Sequence, residues 1–189
     1  MSRTYLVTGG TGGIGGATAE LLRSRGHKVI TADLKGADIN CDLTSEAGRK
    51  ELAEKARELS GGQLNAVIAN AGMQASTPKT VQLNYFGAIA TVEGVRDLLA
   101  ASDNPRAVIT ASMASLQDTD QQLLNALLAG DEAAATERGQ ALADQGPEAG
   151  YANYSASKQA IARWVRKNAP TEQWAGAGIA LNAIAPAVV

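Results

Sequence analysis

Cysteine and histidine are nearly absent from this chain of 189 residues. The single cysteine, Cys41, excludes an intrachain disulfide, and one cysteine with one histidine makes a poor ligand set for zinc, so no metal site is predicted. The single histidine, His27, lies in RGHKV between a predicted helix and a predicted strand, where we expect a solvated loop residue. Because a Ser-His-Asp hydrolase needs a positioned imidazole, the sequence does not favour that chemistry.

The chain also lacks a strong net charge and long apolar runs. Hydrophobic residues make up 45%, charged residues 19%, and the net charge is −2, so there is no electrostatic reason to bind nucleic acid or an acidic membrane surface. No apolar run approaches the length of a membrane span, and MSRTYLVTGG enters a strand-like segment without a signal-peptide pattern. We therefore expect a cytoplasmic protein with one domain over residues 1–189 and no nucleic-acid or membrane partner.

Strand-like and helix-like segments alternate along the sequence. The predicted strands are 4–8, 28–33, 37–43, 64–70, 106–112 and 178–186, and the predicted helices cover about 13–26, 44–60, 81–101 and 151–174. This alternation predicts an α/β fold, a doubly wound parallel sheet of the Rossmann type with helices on both faces.

Residues 117–150 stand apart from this alternation. LLNALLAG and DEAAATERGQALADQG predict two short helices where a direct loop between strand and helix would be enough. This helical insert precedes the predicted helix 151–174. Two interpretations are open: a surface elaboration, or a segment that acts as a lid or alters a subunit interface.

The most glycine-rich stretch, VTGGTGGIGGA, follows the first predicted strand and opens the first predicted helix. Glycines allow close approach of a ligand to the backbone, and a helix N-terminus favours a pyrophosphate, so this turn predicts a dinucleotide site. No Gly-Lys-Ser/Thr follows, which excludes a Walker loop. Three spacings fit the run equally: G-x-G-x-x-G, T-G-x-x-G-x-x-G and T-G-x-x-x-G-x-G.

Asp33 ends the second predicted strand, 18 residues after Gly15. An acid at this place accepts hydrogen bonds from ribose hydroxyls and repels a 2′-phosphate, so NAD is predicted in preference to NADP. Lys35 lies nearby and would soften that preference. The alternative interpretation of Asp33 is a helix cap or a solvated loop acid.

Six short motifs occur in chain order: TGGTGGIG, ANAG, LNYFGA, ITASMAS, YSASK and LNAIAP. Together they resemble the motifs of the short-chain dehydrogenase/reductase family, and the resemblance covers Thr4 to Val189. It implies that Gly9, Gly13 and Gly15 are the glycines that matter, with Gly12 less constrained.

The resemblance implies an NAD-dependent oxidoreductase that interconverts a secondary alcohol and a ketone by hydride transfer. Tyr154 and Lys158 lie four residues apart and share one face of a predicted helix, where an ammonium favours the phenolate form of a tyrosine. The implied catalytic set is Asn84, Ser112, Tyr154 and Lys158. The implied cofactor contacts are Gly9, Thr11, Gly12, Gly13, Ile14, Gly15, Asp33, Asp42, Leu43, Asn70, Ala71, Gly72, Tyr154, Lys158 and Pro186.

In this set Tyr154 transfers the proton, and Lys158 lowers the pKa of Tyr154 and holds the nicotinamide ribose. Ser112 binds the substrate oxygen, while Asn84 resembles a residue that anchors a water linking Lys158 to solvent. Asp42 and Leu43 would flank the adenine. Ser115 is the alternative to Ser112, and Asn84 has the alternative of bonding only backbone. Met73 and Met113 would line either a substrate pocket or the core.

The insert and the helix after it resemble family members that act on hydroxysteroids and similar apolar carbonyl compounds. Alternative functions are the same chemistry on a sugar or acyl-chain alcohol, and a non-catalytic NAD-binding regulator. Family members pair through the helices predicted at 81–101 and 151–174, and the insert lies between them in sequence, so a homodimer is predicted rather than a tetramer.

The sequence departs from the family pattern in three places. Ala187 follows Pro186 where a glycine is usual, and only 13 residues separate Asn70 from Asn84. The resemblance also implies that a family member continues past Val189 with a substrate-covering loop and a last strand, which we therefore expect this chain to lack.

Overall fold

The computed structural model describes residues 2–187, and its centre is a parallel sheet. The strands are β1 (Thr4–Thr8), β2 (Lys28–Asp33), β3 (Ile39–Asn40), β4 (Ala66–Ala69), β5 (Arg106–Thr110) and β6 (Ala180–Ile184). They lie in the order β3-β2-β1-β4-β5-β6, and every pairing is parallel. The chain reverses its direction of travel across the sheet between β1 and β4, which is where open α/β sheets bind ligands.

Helices connect these strands and confirm the predicted doubly wound α/β fold. They are α1 (Gly13–Ser24), α2 (Glu46–Ser60), α3 (Lys79–Val81), α4 (Ala88–Gly94), α5 (Arg96–Ala100), α6 (Gln121–Ala129), α7 (Glu132–Ala143), α8 (Pro147–Gly150) and α9 (Ala152–Asn168). A π-helical segment (Gln82–Gly87) joins α3 to α4, and a 3₁₀ turn (Met113–Leu116) follows β5.

Local sequence explains where α2 begins and ends. Ser45 caps it, with its hydroxyl accepting a hydrogen bond from the Gly48 amide at 3.1 Å. Gly61 ends it in the left-handed region at φ 70°, a conformation that suits glycine.

Two predicted helices have different bounds in the structure. The one predicted at 81–101 is divided by the π-helical segment and by a break at Val95, whose φ is −113°. The one predicted at 151–174 is α9, which ends at Asn168, because Pro170 has no amide hydrogen with which to continue it.

The third strand is also shorter than the predicted 37–43. Its pairing with β2 extends over two residues only. Just before it, Asp38 Oδ2 accepts hydrogen bonds from the backbone amide and the hydroxyl of Thr31, both at 2.8 Å. The carboxylate therefore takes the Thr31 donor that further pairing with β2 would need. The predicted strands 64–70, 106–112 and 178–186 likewise end early, and their last residues form loops.

The core lies between the sheet and the helices, and residues 117–150 share it. Leu6, Val67 and Ile109 of the central strands have no exposed surface. Leu123, Leu124 and Leu127 of α6 are equally buried and belong to the same apolar cluster. The insert is thus packed into the molecule against α9 and is not a solvated attachment.

Candidate active site

The glycine loop turns between β1 and α1 with its backbone packed against the start of the β4–α3 loop. Gly9 and Gly13 adopt φ of 65° and 53°, a region that favours glycine. A Cβ on Gly15 would collide with the backbone oxygen of Gly9 and with the Asn70 side chain. These are the three glycines singled out from the sequence. Gly10 was missed: a Cβ there would lie 2.8 Å from Thr31 Cγ2.

The N-terminus of α1 is open on the side that faces away from the sheet. A Cβ on Gly12 or Gly13 would meet no atom within 4 Å, no side chain caps the helix, and its first turn carries no acid. Unpaired amides and the positive end of the helix dipole therefore face free space. This cradle fits the pyrophosphate of a dinucleotide.

Asp33 is held at the rim of this cradle. Its Oδ2 accepts hydrogen bonds from the hydroxyl of Thr11 at 2.6 Å and from its amide at 3.2 Å, and its Oδ1 accepts one from the Leu34 amide at 2.8 Å. A carboxylate has about four lone-pair positions, so acceptor capacity remains for ribose hydroxyls.

Further along the same rim, Asp42 and Leu43 form a wall next to the end of β3. Thr44 donates from its hydroxyl and its amide to Asp42 Oδ1, at 2.7 and 2.9 Å, and these bonds lower the pKa of that carboxyl. Cys41, a neighbour in this wall, is buried, and that burial raises the pKa of its thiol to about 11. A neutral thiol and a leucine leave this wall suited to a flat apolar ring.

The loop after β4 is tied to β1. The amides of Asn70 and Ala71 both donate to the Thr8 hydroxyl at 3.0 Å. Gly72 then fits between two polar side chains, since a Cβ there would lie 3.1 Å from Asn84 Oδ1 and 3.5 Å from Lys158 Nζ. A glycine is needed at this place to bring those side chains close.

Lys158 lies in α9 and is almost completely buried, with 5% of its surface exposed. Its ammonium donates to the backbone oxygen of Thr110 at 2.8 Å and lies 5.8 Å from the centre of the Tyr154 ring. Burial lowers the pKa of Lys158 to about 8. The cleft thus contains a lysine beside a tyrosine, as the four-residue spacing predicted.

Asn84 lies in the π-helical segment, and its side chain bonds protein groups only. Oδ1 accepts from the Met73 amide at 2.8 Å, while Nδ2 donates to the Met73 oxygen at 2.9 Å and to Ser157 Oγ at 3.2 Å. Two of these three bonds go to the Met73 backbone, as in the backbone-bonding alternative, and the third goes to the Ser157 side chain. π-Helical turns often occur at functional sites, and the role of Asn84 as a water anchor stays a prediction.

Ser112 follows β5 and lines the cleft, whereas its alternative Ser115 does not line it. The Ser112 hydroxyl accepts from the Ala114 amide at 3.1 Å, which leaves its hydrogen free to donate. Pro186 lies next to it, and the Met113 amide donates to the Pro186 oxygen at 3.0 Å.

All these groups surround one cleft of about 1310 Å³ at the carboxyl ends of the strands. Of the predicted site residues, only Gly15 and Asn84 do not line it. Met73 and Met113 do line it, which favours the pocket interpretation for both. Several residues that line the cleft were not predicted as site residues from the sequence: Leu34, Thr44, Gln74, Thr110, Leu116 and Tyr151. Leu34 was discoverable, because it follows Asp33 directly.

The insert contributes almost nothing to this cleft beyond Gln117. Its helices pack against α9 and the π-helical segment. Within residues 2–187 no helix combines the length and apolar character that crossing a membrane requires. The same residues contain no group of three or more His, Cys, Asp or Glu arranged to hold a metal ion.

An open helix N-terminus beside a carboxylate, with a buried lysine next to a half-buried tyrosine in the same cleft, is the arrangement expected of a dinucleotide-dependent oxidoreductase. The family model for short chain dehydrogenases matches residues 3–124. The chain belongs to this family, whose members are NAD(P)-dependent oxidoreductases.

Individual relatives agree with this assignment. The chain is 34% identical over 187 residues to a 3-alpha-hydroxysteroid dehydrogenase/carbonyl reductase of Comamonas testosteroni, covering 96% of this chain and 70% of the relative. It is 29% identical to a cis-4-hydroxycyclohexanecarboxylate dehydrogenase of Sinomonas cyclohexanicum over 97% of this chain and 72% of that one. A 3-alpha-hydroxysteroid dehydrogenase from Pseudomonas sp. B-0831, solved with NADH, matches with a TM-score of 0.90 and 35% identity, covering 98% of this chain and 72% of that one.

Proposed function

We propose that this protein uses NAD to interconvert a secondary alcohol and a ketone, with hydroxysteroids or similar apolar carbonyl compounds as substrates. The observation that carries the proposal is the placement of Ser112, Tyr154 and Lys158 in the cleft that begins at the open N-terminus of α1. When bound, the nicotinamide cofactor accepts or supplies the hydride.

The chain's own residues would handle the proton and the oxygen. The Tyr154 hydroxyl takes the proton of the alcohol or returns it to the ketone oxygen. The Lys158 ammonium, fixed by the Thr110 oxygen at 2.8 Å, stabilises the phenolate form of Tyr154 electrostatically. Ser112 retains a free hydroxyl hydrogen with which to hold the substrate oxygen.

The walls of the cleft support an apolar substrate. Met113 is 52% exposed and Leu116 is 82% exposed, and both line the cleft next to Ser112. Large apolar side chains left open to solvent mark a surface that binds something apolar. The names of two relatives, both hydroxysteroid dehydrogenases, support the same class.

Asp33 supports NAD as the preferred cofactor. Its carboxylate lies where a ribose would enter, and a 2′-phosphate there would meet a negative charge at close range. Fluorescence titration should give tighter binding of NADH than of NADPH, and Asp33→Ala should narrow the difference. Equal affinities in the unchanged protein would contradict the preference.

Turnover decides between this proposal and a non-catalytic NAD-binding regulator. NADH oxidation should be measured with an apolar cyclic ketone, a keto sugar and a β-ketoacyl thioester in parallel. We expect turnover with the cyclic ketone above all. Binding of NADH without turnover of any of the three would favour the regulator, and preference for the sugar or the thioester would reassign the substrate.

The assembly we propose is a homodimer in the cytoplasm. Helix α6 covers part of α9, and this supports the loss of one of the helix pairings through which family members assemble. A groove lined by Phe86, Ile89, Leu128 and Trp164 stays open beside α6. Light scattering should give a dimer, and a tetramer would contradict the proposal.

A further inference from the structure

Arg49, in the first turn of α2, lies directly behind the wall formed by Asp42, Leu43 and Thr44. Its side chain is only 10% exposed. Nε donates to the Leu43 oxygen at 2.8 Å, and Nη2 donates to the Thr44 oxygen at 3.2 Å. The guanidinium therefore holds the backbone of the wall that we assign to the adenine, from the side that the cofactor would not touch.

The same guanidinium reaches the insert and the π-helical segment. It forms a two-pronged ion pair with Glu132, the first residue of α7, with both N–O distances at 2.7 Å. Nη2 also donates to the Gln82 oxygen at 3.2 Å, and the Phe86 ring lies 5.9 Å from Cζ. The planar guanidinium carries several N–H donors in fixed directions and can therefore bond several fixed acceptors at once. A lysine ammonium could not bond the same acceptors in this geometry.

The wall has little freedom to move away from this arginine. The π-helical segment also comes close to the wall: a Cβ on Gly87 would lie 3.0 Å from the Leu43 oxygen and 3.2 Å from Leu43 Cβ. A Cβ on Gly48 would collide with the Asp42 oxygen. Leu43 is thus held by the Arg49 guanidinium and is closely packed against Gly87.

We propose that the Arg49–Glu132 pair is a positioning device through which the insert sets the shape of the adenine subsite. Glu132 touches neither the cleft nor the substrate, and Arg49 does not line the cleft. Both act only by fixing the carbonyls of Leu43 and Thr44. The inference rests on the proposed function, since it takes the cleft to be an NAD site.

Glu132→Gln tests the proposal while keeping the size and shape of the side chain. Its matched control is Glu137→Gln, an exposed residue of the same helix, which removes the same charge. Arg49→Lys is a second variant that keeps the charge and loses the fork. NADH is titrated by fluorescence, ADP-ribose by displacement of NADH, and circular dichroism establishes that each variant is folded.

Glu132→Gln and Arg49→Lys should each weaken the binding of NADH, by roughly 2- to 30-fold, and in each variant the binding of ADP-ribose should weaken by the same factor as that of NADH. Emission of NADH at saturation, which reports the surroundings of the nicotinamide, should stay unchanged. The double variant should be no weaker than the worse single variant, because both changes break one device. Glu137→Gln should bind like the parent.

Three results would overturn the inference. One is unchanged ADP-ribose affinity in a folded Glu132→Gln variant. Another is an equal loss of ligand affinity in the control variant Glu137→Gln, which would indicate a general effect of removing a negative charge. The third is additive loss in the double variant. If the parent protein binds neither NADH nor ADP-ribose, the proposed function itself fails, and this result is distinct from the other three.

Discussion

The two sides of the cleft differ in whether backbone atoms or side chains shape them. On the β1–β3 side the cradle at the N-terminus of α1 is mostly backbone: Gly9 and Gly13 have left-handed conformations, Gly15 packs on the Gly9 oxygen, and the helix end is open. On the β4–β6 side the surface depends on buried polar side chains. Asn84 there makes three hydrogen bonds to protein groups, and Lys158 is fixed to the Thr110 oxygen.

This difference indicates which kind of substitution should disturb each side of the cleft. A backbone surface is disturbed by an added atom, because a Cβ has no room or blocks the ligand. A side-chain surface is disturbed by a lost polar atom, because a buried partner is left without its hydrogen bond or charge. The first three predictions below test this contrast, beginning with the largest expected effect, and the fourth concerns an ion pair within the insert.

Tyr154→Phe should have the largest effect on the rate and a small effect on cofactor binding. The change removes one oxygen, and the ring still packs beside Tyr151 with the glycine loop untouched. Turnover should fall by roughly 10²–10⁴-fold, as for loss of a general acid–base group, while NADH affinity changes little. Steady-state rates and NADH titrations on one preparation check this. Near-normal turnover would remove Tyr154 from the mechanism.

Lys158→Met should change how stability depends on pH. The pKa of Lys158 is about 8 in the folded protein, against an ordinary value of 10.5, because of its burial. Below pH 8 the folded state carries the full penalty of a buried charge. Between pH 8 and 10.5 the unfolded chain binds the extra proton, so the free energy of unfolding of the parent rises with pH through this residue.

The variant lacks this contribution. Its stability relative to the parent should therefore be highest below pH 8 and should decline by at most roughly 3 kcal/mol by pH 10.5. Urea unfolding of both proteins from pH 6.5 to 10.5 measures the difference. Cys41 and Tyr85, whose pKa values burial raises to about 11 and about 12, are present in both proteins, so their effects cancel. A difference that is flat with pH would contradict the prediction.

Gly15→Ala and Gly12→Ala form a matched pair on the backbone side. Gly15→Ala should destabilise the fold by roughly 1–3 kcal/mol, since the new methyl group meets the Gly9 oxygen. Gly12→Ala meets no protein atom within 4 Å and has φ −164°, so its thermal unfolding should match that of the parent. NADH binding should nevertheless weaken in Gly12→Ala, because the methyl group occupies the pyrophosphate cradle. If Gly12→Ala destabilised the fold and left NADH binding unchanged, the N-terminus of α1 would not be the pyrophosphate site.

Asp120→Asn should give the smallest effect. Asp120 caps α6, accepting from the Leu123 amide at 2.8 Å, and pairs with Arg138 at 2.6 Å. Hydrogen bonding from Arg138 lowers the pKa of Asp120, so this stabilisation is present above about pH 4 and is lost as the pH falls through the lowered value. Asparagine keeps the cap, and the loss at pH 7 should be at most roughly 1 kcal/mol. If the variant is still less stable than the parent at pH 2, where Asp120 is protonated, the loss of stability does not come from the charge of Asp120.

Much of the fold follows from local patterns in the sequence. Alternating apolar segments predicted all the strands of the sheet, and β1 and β2 have the predicted bounds, because buried parallel strands are short apolar runs between turns. Two of the elements with wrong bounds depend on contacts with other segments of the chain. Asp38 shortens β3 by bonding Thr31, and the helix predicted at 81–101 is broken by a π-helical turn whose Asn84 bonds the loop after β4.

The candidate site shows the same division. The glycines, Asp33 and the Tyr154–Lys158 spacing are local, and the structure brings them to one cleft. Two features were outside the reach of local patterns. The hydrogen bonds between the Asn84 side chain and the Met73 backbone depend on how two segments approach each other. Arg49 joins Leu43 to Glu132, which lies 83 residues after Arg49 in the sequence.

The insert also bears on how the chain reaches its folded state. Strand β6 pairs with β5 only after the intervening chain has closed a loop, and residues 117–150 nearly double that loop. Doubling a loop raises its closure entropy by only about 0.6 kcal/mol. Burial of one leucine contributes about 1.5–3 kcal/mol, and α6 alone buries Leu123, Leu124 and Leu127 completely. The longer loop therefore carries apolar contacts that oppose its own entropic cost.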